Sequence, residues 1–471
     1  MVLIQPFQDL FESLDKTTAV NLPTSKENAL NIEFYSLQDI NSPKAVYKGQ
    51  GPLLPFAASE VFYAPINEWR RLTAVDDSCK TVYEVTFDIN GSNFSYKPGD
   101  TIGIIPRNSK REVQLLIDHL DLKRNLDVTY ALKLNTGQKG AKIPLHIPIK
   151  SNLRYVLNNC VDLRGIVKKL FLLALSKYTQ DKNEKMILEY LCSKEGSTAY
   201  TSHILNKQIC ILDLFILFKS CKPPVEVLLE HLPRLLPRAY SIVNRKSDDN
   251  RLKICFSVID IGNSRKGLTT GWLESIILGK NLEEMMNNLS MDEESSLIPI
   301  YIRKNVNEFY LPINSECPLI LIGPGTGVSP YIGFLEEREY LQKAQPNMGF
   351  GEVWLFFGCR NPKLDFIYEN ELRHFETQGV ITNLQTAFSR LENTDICYVQ
   401  DAMIKKGKEL TNLIMQGAYI FVCGDVKVMA TQVKEVIVQF IEKYGEKTKE
   451  EAENYLINMQ KEKRYLIDIW N

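Results

Sequence analysis

Two switches of hydrophobic rhythm predict a multi-domain chain: an antiparallel β-barrel carrying an α-helical insert, followed by an α/β doubly wound domain. Period-two alternation, clearest in Thr81–Asp88, marks half-buried strands. A block of helical periodicity between about residues 152 and 232 interrupts that pattern, and the alternation then resumes. Beyond about residue 315, short apolar runs alternate with helical stretches, the rhythm of a parallel sheet covered on both faces.

Each part follows from the residues in turn. The first 64 residues have weak periodicity and the breakers Pro23, Pro43, Gly49, Gly51, Pro52 and Pro55, so residues 1–47 are expected to be linker-like. Thr81–Asp88 and Thr101–Ile105 flank a turn at Lys97-Pro98-Gly99-Asp100, the signature of antiparallel strands. Ser109 and Glu112 have capping-box spacing ahead of Val113, Leu116, Ile117 and Leu120 at helical intervals. An insert of about 109–235 is therefore expected inside a barrel domain of 48–311, which resumes at Ala239–Val243 and Leu252–Asp260. In the last part, 312–471, apolar runs at Leu319–Ile322, Val353–Phe357, Leu384–Phe388 and Tyr419–Cys423 alternate with helical stretches at Tyr331–Leu341 and Val428–Phe440.

Composition removes several classes of function. With 56 Lys and Arg against 57 Asp and Glu, the net charge of -1 provides no basic field for nucleic acid. None of the 10 cysteines forms a C-x-x-C pair, which speaks against a zinc ribbon or a thioredoxin-type site, and no metal site is expected. The longest apolar stretch, Ile211–Phe218, contains Asp213 and is too short to span a membrane. The first fifteen residues carry three acidic side chains and no basic n-region, unlike a secretory signal. A soluble, cytoplasmic protein with reduced thiols is expected.

Six short motifs carry chemistry. Arg238-Ala239-Tyr240-Ser241 offers a forked cation for phosphate, a flat ring and a hydroxyl at a strand start. Gly267-Leu268-Thr269-Thr270, ahead of an expected helix at Trp272–Leu278, forms a phosphate cradle. Gly325, Thr326 and Gly327 lie in a Gly-Pro-Gly-Thr-Gly run between a strand and a helix. That is where a doubly wound sheet binds pyrophosphate, although the spacing is not G-x-G-x-x-G. Ser389-Arg390 ends another strand and suits a dianionic phosphate such as the 2′ group of NADP, with Tyr398-Val399-Gln400 following. Cys423 ends a fourth strand, and the chain closes on a run containing Asp468 and Trp470. Taken singly, each of these is also an ordinary loop, strand end or packing residue.

In this order, over some 230 residues, the motifs resemble the ferredoxin-NADP-reductase-like half of the diflavin reductases. Leu229-Glu230-His231-Leu232-Pro233, Trp354–Arg360 and Glu371–Phe375 are most similar to the branch of that family that serves cobalamin-dependent methionine synthase. The resemblance covers roughly residues 60–471. It implies FAD held by Arg238, Ala239, Tyr240 and Ser241, with Gly267, Leu268, Thr269 and Thr270 on its pyrophosphate. It implies NADPH with its 2′-phosphate on Ser389 and Arg390, its adenosine flanked by Tyr398, Val399 and Gln400, and its pyrophosphate on Gly325, Thr326 and Gly327. Ser241, Cys423 and Asp468 would surround the hydride path, and Trp470 would stack on the flavin as a gate.

The chain departs from the family pattern at Glu68, where a basic residue is expected, at Cys397 and its neighbours, which lack the lysine before Tyr398, and at Gln432, which replaces an aspartate. Residues 1–64 contain no phosphate loop of a flavodoxin-like module, so FMN is expected only on a missing domain or a separate partner. Three readings follow: a flavoprotein of that branch working with methionine synthase or a separate FMN protein, a stand-alone NADPH reductase for another flavodoxin- or ferredoxin-like acceptor, and a non-catalytic chaperone or binding module for the cobalamin enzyme.

Overall fold

The computed structural model describes residues 7, 10, 20–24, 27–35, 54–135, 142–262, 265–286, 297–392, 394–424 and 427–469. The chain divides into two compact units, one of residues 1–54 and 106–236, the other of 55–105 and 237–471. In chain order, strand β1 (Leu30–Phe34) belongs to the first unit, and β2 (Phe62–Ala64), β3 (Ile66–Arg71), β4 (Val82–Asp88) and β5 (Thr101–Ile104) to the second. Strands β6 (Thr129–Leu134) and β7 (Lys150–Asn152) return to the first unit. The remainder lie in the second: β8 (Arg238–Ser241), β9 (Arg251–Ser257), β10 (Asp260–Gly262), β11 (Arg265–Lys266) and β12 (Ile298–Arg303). The series ends with β13 (Leu319–Ile322), β14 (Val353–Cys359), β15 (Asn383–Phe388), β16 (Tyr419–Gly424) and β17 (Tyr465–Ile469).

The first unit is mainly helical. Its helices include Lys110–Leu120, Lys169–Ser176, Lys182–Cys192 and Val225–His231, and their apolar stripes share one core. The expected capping box at Ser109 does not form. Ser109 is the N-cap without a side-chain bond, and Glu112 instead pairs with Arg164 at 3.0 Å. A charged partner from a distant segment outcompetes the weaker local backbone bond. The segment read as linker-like also behaves differently over its described part. Strand β1 pairs antiparallel with β6, Ile32 facing Leu132, and buries Leu30 and Ile32. Leu30, Ile32 and Phe34 alternate with Asn31 and Glu33, but a run of five residues between proline and glycine breakers is too short to stand out in the sequence.

In the second unit β10 pairs with β11 alone, and the other antiparallel strands hydrogen-bond as two sheets, in the orders β2-β12-β5-β8 and β3-β4-β9. Two features join them. Strands β2 and β3 are separated by Pro65 alone, and the register shifts between Ile66 and Glu68. Past the end of β8, Ile242 bridges Ile254 of β9, and the Val243 N–H donates to the Lys253 carbonyl at 2.9 Å. Inward side chains of both sheets, among them Val85, Phe87, Ile102, Ile254 and Ile300, form one core.

The remaining sheet is parallel throughout, with strand order β15-β14-β13-β16-β17. The order reverses between β13 and β16, which opens a crevice beyond their carboxyl ends. Ile320, Phe356 and Val422 face the helices Val399–Lys405, Gly407–Met415, Lys427–Tyr444 and Lys449–Lys461. Leu321, Leu355 and Phe421 face the opposite side, toward the helices Ser329–Ala344 and Glu369–Thr377. Burial on both faces explains why β13, β14 and β16 read as apolar runs, whereas the edge strand β15 carries Gln385 and Thr386. Among the described residues, no helix is long and apolar enough to cross a membrane.

Candidate functional site

The crevice at the switch point is built from glycine and one cysteine. Gly325–Val328 forms a short 3-10 turn that leads directly into the helix Ser329–Ala344, with Pro330 in its first turn. A β-carbon on Gly327 would lie 2.1 Å from the carbonyl oxygen of Cys423, and one on Gly323 would lie 2.6 Å from the Gly327 oxygen. Gly325 has open space around it but a φ of +56°, in the left-handed region. The loop therefore lies against the end of β16 with its backbone presented ahead of a helix N-terminus, a surface suited to pyrophosphate.

Three of the predicted hydride-path residues come together beside that loop. Cys423 and Asp468 are register partners on the parallel strands β16 and β17, so their side chains share a face of the sheet. The Ser241 hydroxyl, at the end of β8, donates to Asp468 Oδ2 at 3.1 Å. This bond links the antiparallel and parallel halves of the second unit. Burial raises the Asp468 carboxyl above the usual carboxylate range, opposed by the Ser241 bond and by the charge of Arg303. The fully buried Cys423 thiol is pushed well above the ordinary thiol range by burial and then by Asp468, so it remains protonated. Trp470 lies outside the described residues.

Tyr331 was not singled out from the sequence, where it reads as a core position in an apolar helix. Its side chain is completely buried, and its hydroxyl donates to the carbonyls of Ile322 at 3.0 Å and Phe421 at 2.9 Å. Only the tertiary fold brings those carbonyls to one point.

The predicted FAD residues lie on strand β8 and at the start of the helix Leu268–Met286. Strand β8 pairs with β5, placing Arg238 opposite Ile104, Ala239 opposite Gly103, Tyr240 opposite Ile102 and Ser241 opposite Thr101. The Tyr240 ring meets Phe256 edge-on at 6.4 Å, and burial raises its phenol above the usual range. The helix after the cradle starts at Leu268 rather than Trp272, so Leu268, Thr269 and Thr270 form its first turn. Gly267 is held by its N–H to the Ile259 carbonyl at 2.7 Å, and a β-carbon there would lie 2.7 Å from Thr270 Oγ1. Thr269 Oγ1 is buried next to the Tyr240 hydroxyl and makes no hydrogen bond of acceptable geometry to another described residue. A buried orphan hydroxyl in the first turn of a helix, behind a glycine, fits a bound phosphate group.

At the far edge of the parallel sheet, backbone bonds carry the β15–β14 pairing one step further. Ser389 N–H donates to the Cys359 carbonyl at 3.0 Å and Arg390 N–H to the Arg360 carbonyl at 2.8 Å. Among the described residues, neither the Ser389 hydroxyl nor the Arg390 guanidinium makes a hydrogen bond or ion pair, which leaves both for an anion. Tyr398 is 63% exposed at the N-cap of the next helix, whereas Val399 is 2% exposed and packs against Gly358. Gln400 Nε2 donates to Gln432 Oε1 at 2.9 Å, so one departure from the family pattern sits in direct contact with a predicted nucleotide residue. Glu68 pairs with Arg251 at 2.9 Å, and the Cys397 N–H caps onto Asp401 at 3.0 Å.

The family described as FAD binding domain matches residues 54–272, and the oxidoreductase NAD-binding domain matches 321–435. Methionine synthase reductase of Homo sapiens is 37% identical over 98% of this chain and 69% of its own length. The Rattus norvegicus protein of that name is 36% identical over 98% of the chain and 68% of its own length. The chain belongs to the diflavin reductase family, on its methionine synthase reductase branch. Homo sapiens NADPH--cytochrome P450 reductase is more distant, 30% identical over 90% of the chain and 60% of its own length. This diflavin reductase chain is an NADPH-dependent flavoprotein oxidoreductase, with FAD and NADP as its cofactors.

Proposed function

We propose that this chain takes reducing equivalents from NADPH into FAD and passes them, through an FMN carrier, to cobalamin-dependent methionine synthase in the cytoplasm. The observation that carries the hydride step is the meeting of Ser241, Asp468 and Cys423 beside the glycine loop. The two antiparallel sheets, joined at Pro65 and at Ile242, are read as one FAD-binding barrel within 48–311, with 109–235 inserted and 312–471 binding NADP.

When bound, FAD supplies the two-electron acceptor chemistry that side chains lack. The chain's own residues bind and orient. Arg238 and Tyr240 serve the phosphate and ring of the flavin nucleotide, and Gly267 with Thr269 serves its pyrophosphate. Gly325, Thr326 and Gly327 hold the NADP pyrophosphate, Ser389 and Arg390 its 2′-phosphate, and Tyr398, Val399 and Gln400 its adenosine. Asp468 places negative charge where the nicotinamide becomes cationic, Ser241 holds that carboxylate, and Cys423 closes the same face to water. Trp470 is assigned as the aromatic gate over the flavin.

The methionine synthase assignment is supported by relatives of that name aligning over nearly the whole chain. Cytochrome P450 reductases in the same family favour, as a second reading, an acceptor other than the cobalamin enzyme. Anaerobic stopped-flow mixing of the FAD-loaded protein with NADPH tests the first step, and the expected result is bleaching of the flavin band. Reactivation of methionine synthase with and without an added FMN domain tests the rest. Bleaching without FMN-dependent reactivation would sink the methionine synthase assignment and leave the reductase.

A further inference from the structure

We propose that Tyr331 is a positioning residue for hydride transfer, its hydroxyl tying together the two strand ends that carry the glycine loop and Cys423. The proposal rests on the NADPH-to-flavin reading of this crevice. Ile322 is the last residue of β13, immediately before Gly323, and Phe421 lies two residues before Cys423 in β16. Ile322 and Phe421 belong to adjacent strands at the point where the order of the sheet reverses. A single O–H shared between their carbonyls, at 3.0 and 2.9 Å, pins both strand ends to the helix Ser329–Ala344, in addition to the ladder that pairs β13 with β16.

The ring that carries this hydroxyl is itself clamped. A β-carbon on Gly323 would lie 2.7 Å from Tyr331 Cε2, so the ring lies flush against the start of the loop. Phe309 stacks on Tyr331 at 6.4 Å, and Phe334 packs at a tilt at 6.1 Å. Filling this space needs only phenylalanine. Burying a hydroxyl is unfavourable unless it is bonded, so what the hydroxyl contributes is the bridge. Gly327 is already at closest approach to the Cys423 carbonyl, and a small shift of either strand end therefore alters where the loop backbone and the thiol stand relative to one another.

The test is Tyr331→Phe in the FAD-loaded protein, which keeps the ring and removes the donor. Calorimetry would compare NADP+ with 2′,5′-ADP, a probe that reaches Ser389 and Arg390 without the nicotinamide half. NADP+ should bind about fivefold to tenfold more weakly while 2′,5′-ADP stays within about twofold. At saturating NADPH the flavin reduction rate should also fall by about tenfold, a loss in kcat on top of the rise in KM that the weaker binding brings. Equal weakening of both ligands would show a merely structural role and overturn the proposal, as would unchanged NADP+ binding with an unchanged reduction rate. Should the unmodified protein fail to be reduced by NADPH, the hydride reading falls, and with it this role for Tyr331.

Discussion

Ser241 and Asp468, 227 positions apart in the chain, share a 3.1 Å hydrogen bond that joins the last antiparallel strand before Ile242 to the final strand of the parallel sheet. Ser241→Ala should slow NADPH-driven flavin reduction roughly tenfold, and Asp468→Asn roughly hundredfold, measured by stopped flow at saturating NADPH. A rate for Asp468→Asn equal to that of the unmodified protein would remove the carboxylate from the mechanism.

The same carboxylate gives stability a definite pH dependence. Burial raises the Asp468 pKa, so ionisation costs more in the folded than in the unfolded chain. Its contribution is fully present below the unfolded value of about 3.9 and is lost as pH rises through the folded value. Asp468→Asn should therefore be the more stable protein at neutral pH, with the two thermal midpoints converging in acid. Midpoints that separate further as pH falls would contradict the assigned direction.

Gly327 and Gly325 should respond differently to alanine. At Gly327 the new β-carbon meets the Cys423 carbonyl oxygen at 2.1 Å, so backbone must move, at a cost of about 1–3 kcal/mol and loss of NADP+ binding. At Gly325 nothing lies within 4 Å, and only the left-handed φ is penalised, by about 1–2 kcal/mol. Denaturant unfolding and calorimetric NADP+ titration of both variants would check this. The order fails if Gly325→Ala loses NADP+ binding and Gly327→Ala keeps it.

Ser389 and Arg390 make no side-chain bond or ion pair among the described residues, so removing them should leave stability unchanged. Arg390→Ala should weaken 2′,5′-ADP binding by about 1.5–3 kcal/mol and leave 5′-AMP binding nearly unaffected. Retention of the full NADPH over NADH preference in the Ser389→Ala, Arg390→Ala double variant would place the 2′-phosphate elsewhere.

The amino-terminal strand should prove integral to the helical unit. Ile32, 8% exposed and opposite Leu132, should cost about 2–4 kcal/mol when changed to Asp, whereas Asn31→Asp on the exposed face should cost almost nothing. Hydrogen exchange of residues 129–134 would report the loss. Ahead of this strand, the backbone and side-chain N–H groups of Asn21 hold the Glu195 carboxyl down to about 2. Because that pKa is depressed, the contact is intact above the ordinary carboxylate range and is lost as pH falls toward 2. Accelerated exchange of residues 20–24 over that window would confirm the sign.

Periodicity alone was enough to identify the parallel-sheet half. Leu319–Ile322, Val353–Phe357, Leu384–Phe388 and Tyr419–Cys423 all fall within observed strands, because the central strands are buried on both faces and the edge strand β15 still packs Leu384, Ala387 and Phe388 inward. The glycine loop was legible for a similar reason, since a backbone approach as close as that of Gly327 to Cys423 excludes any other residue. Local signals failed where a distant partner prevailed. Glu112 chose Arg164 over its own helix cap, β1 is stabilised by pairing with β6, and the cradle helix begins at Leu268. The Ser241–Asp468 bond, the pairing of Gln400 with Gln432 and the bridge at Tyr331 leave no trace in local pattern. Each joins groups that are polar or aromatic for ordinary reasons one at a time. Hydrophobic period and glycine sterics are properties of neighbouring residues, so the chain states them directly. Which hydroxyl meets which carboxylate or carbonyl depends on how strands far apart in sequence pack, and only the tertiary structure decides that.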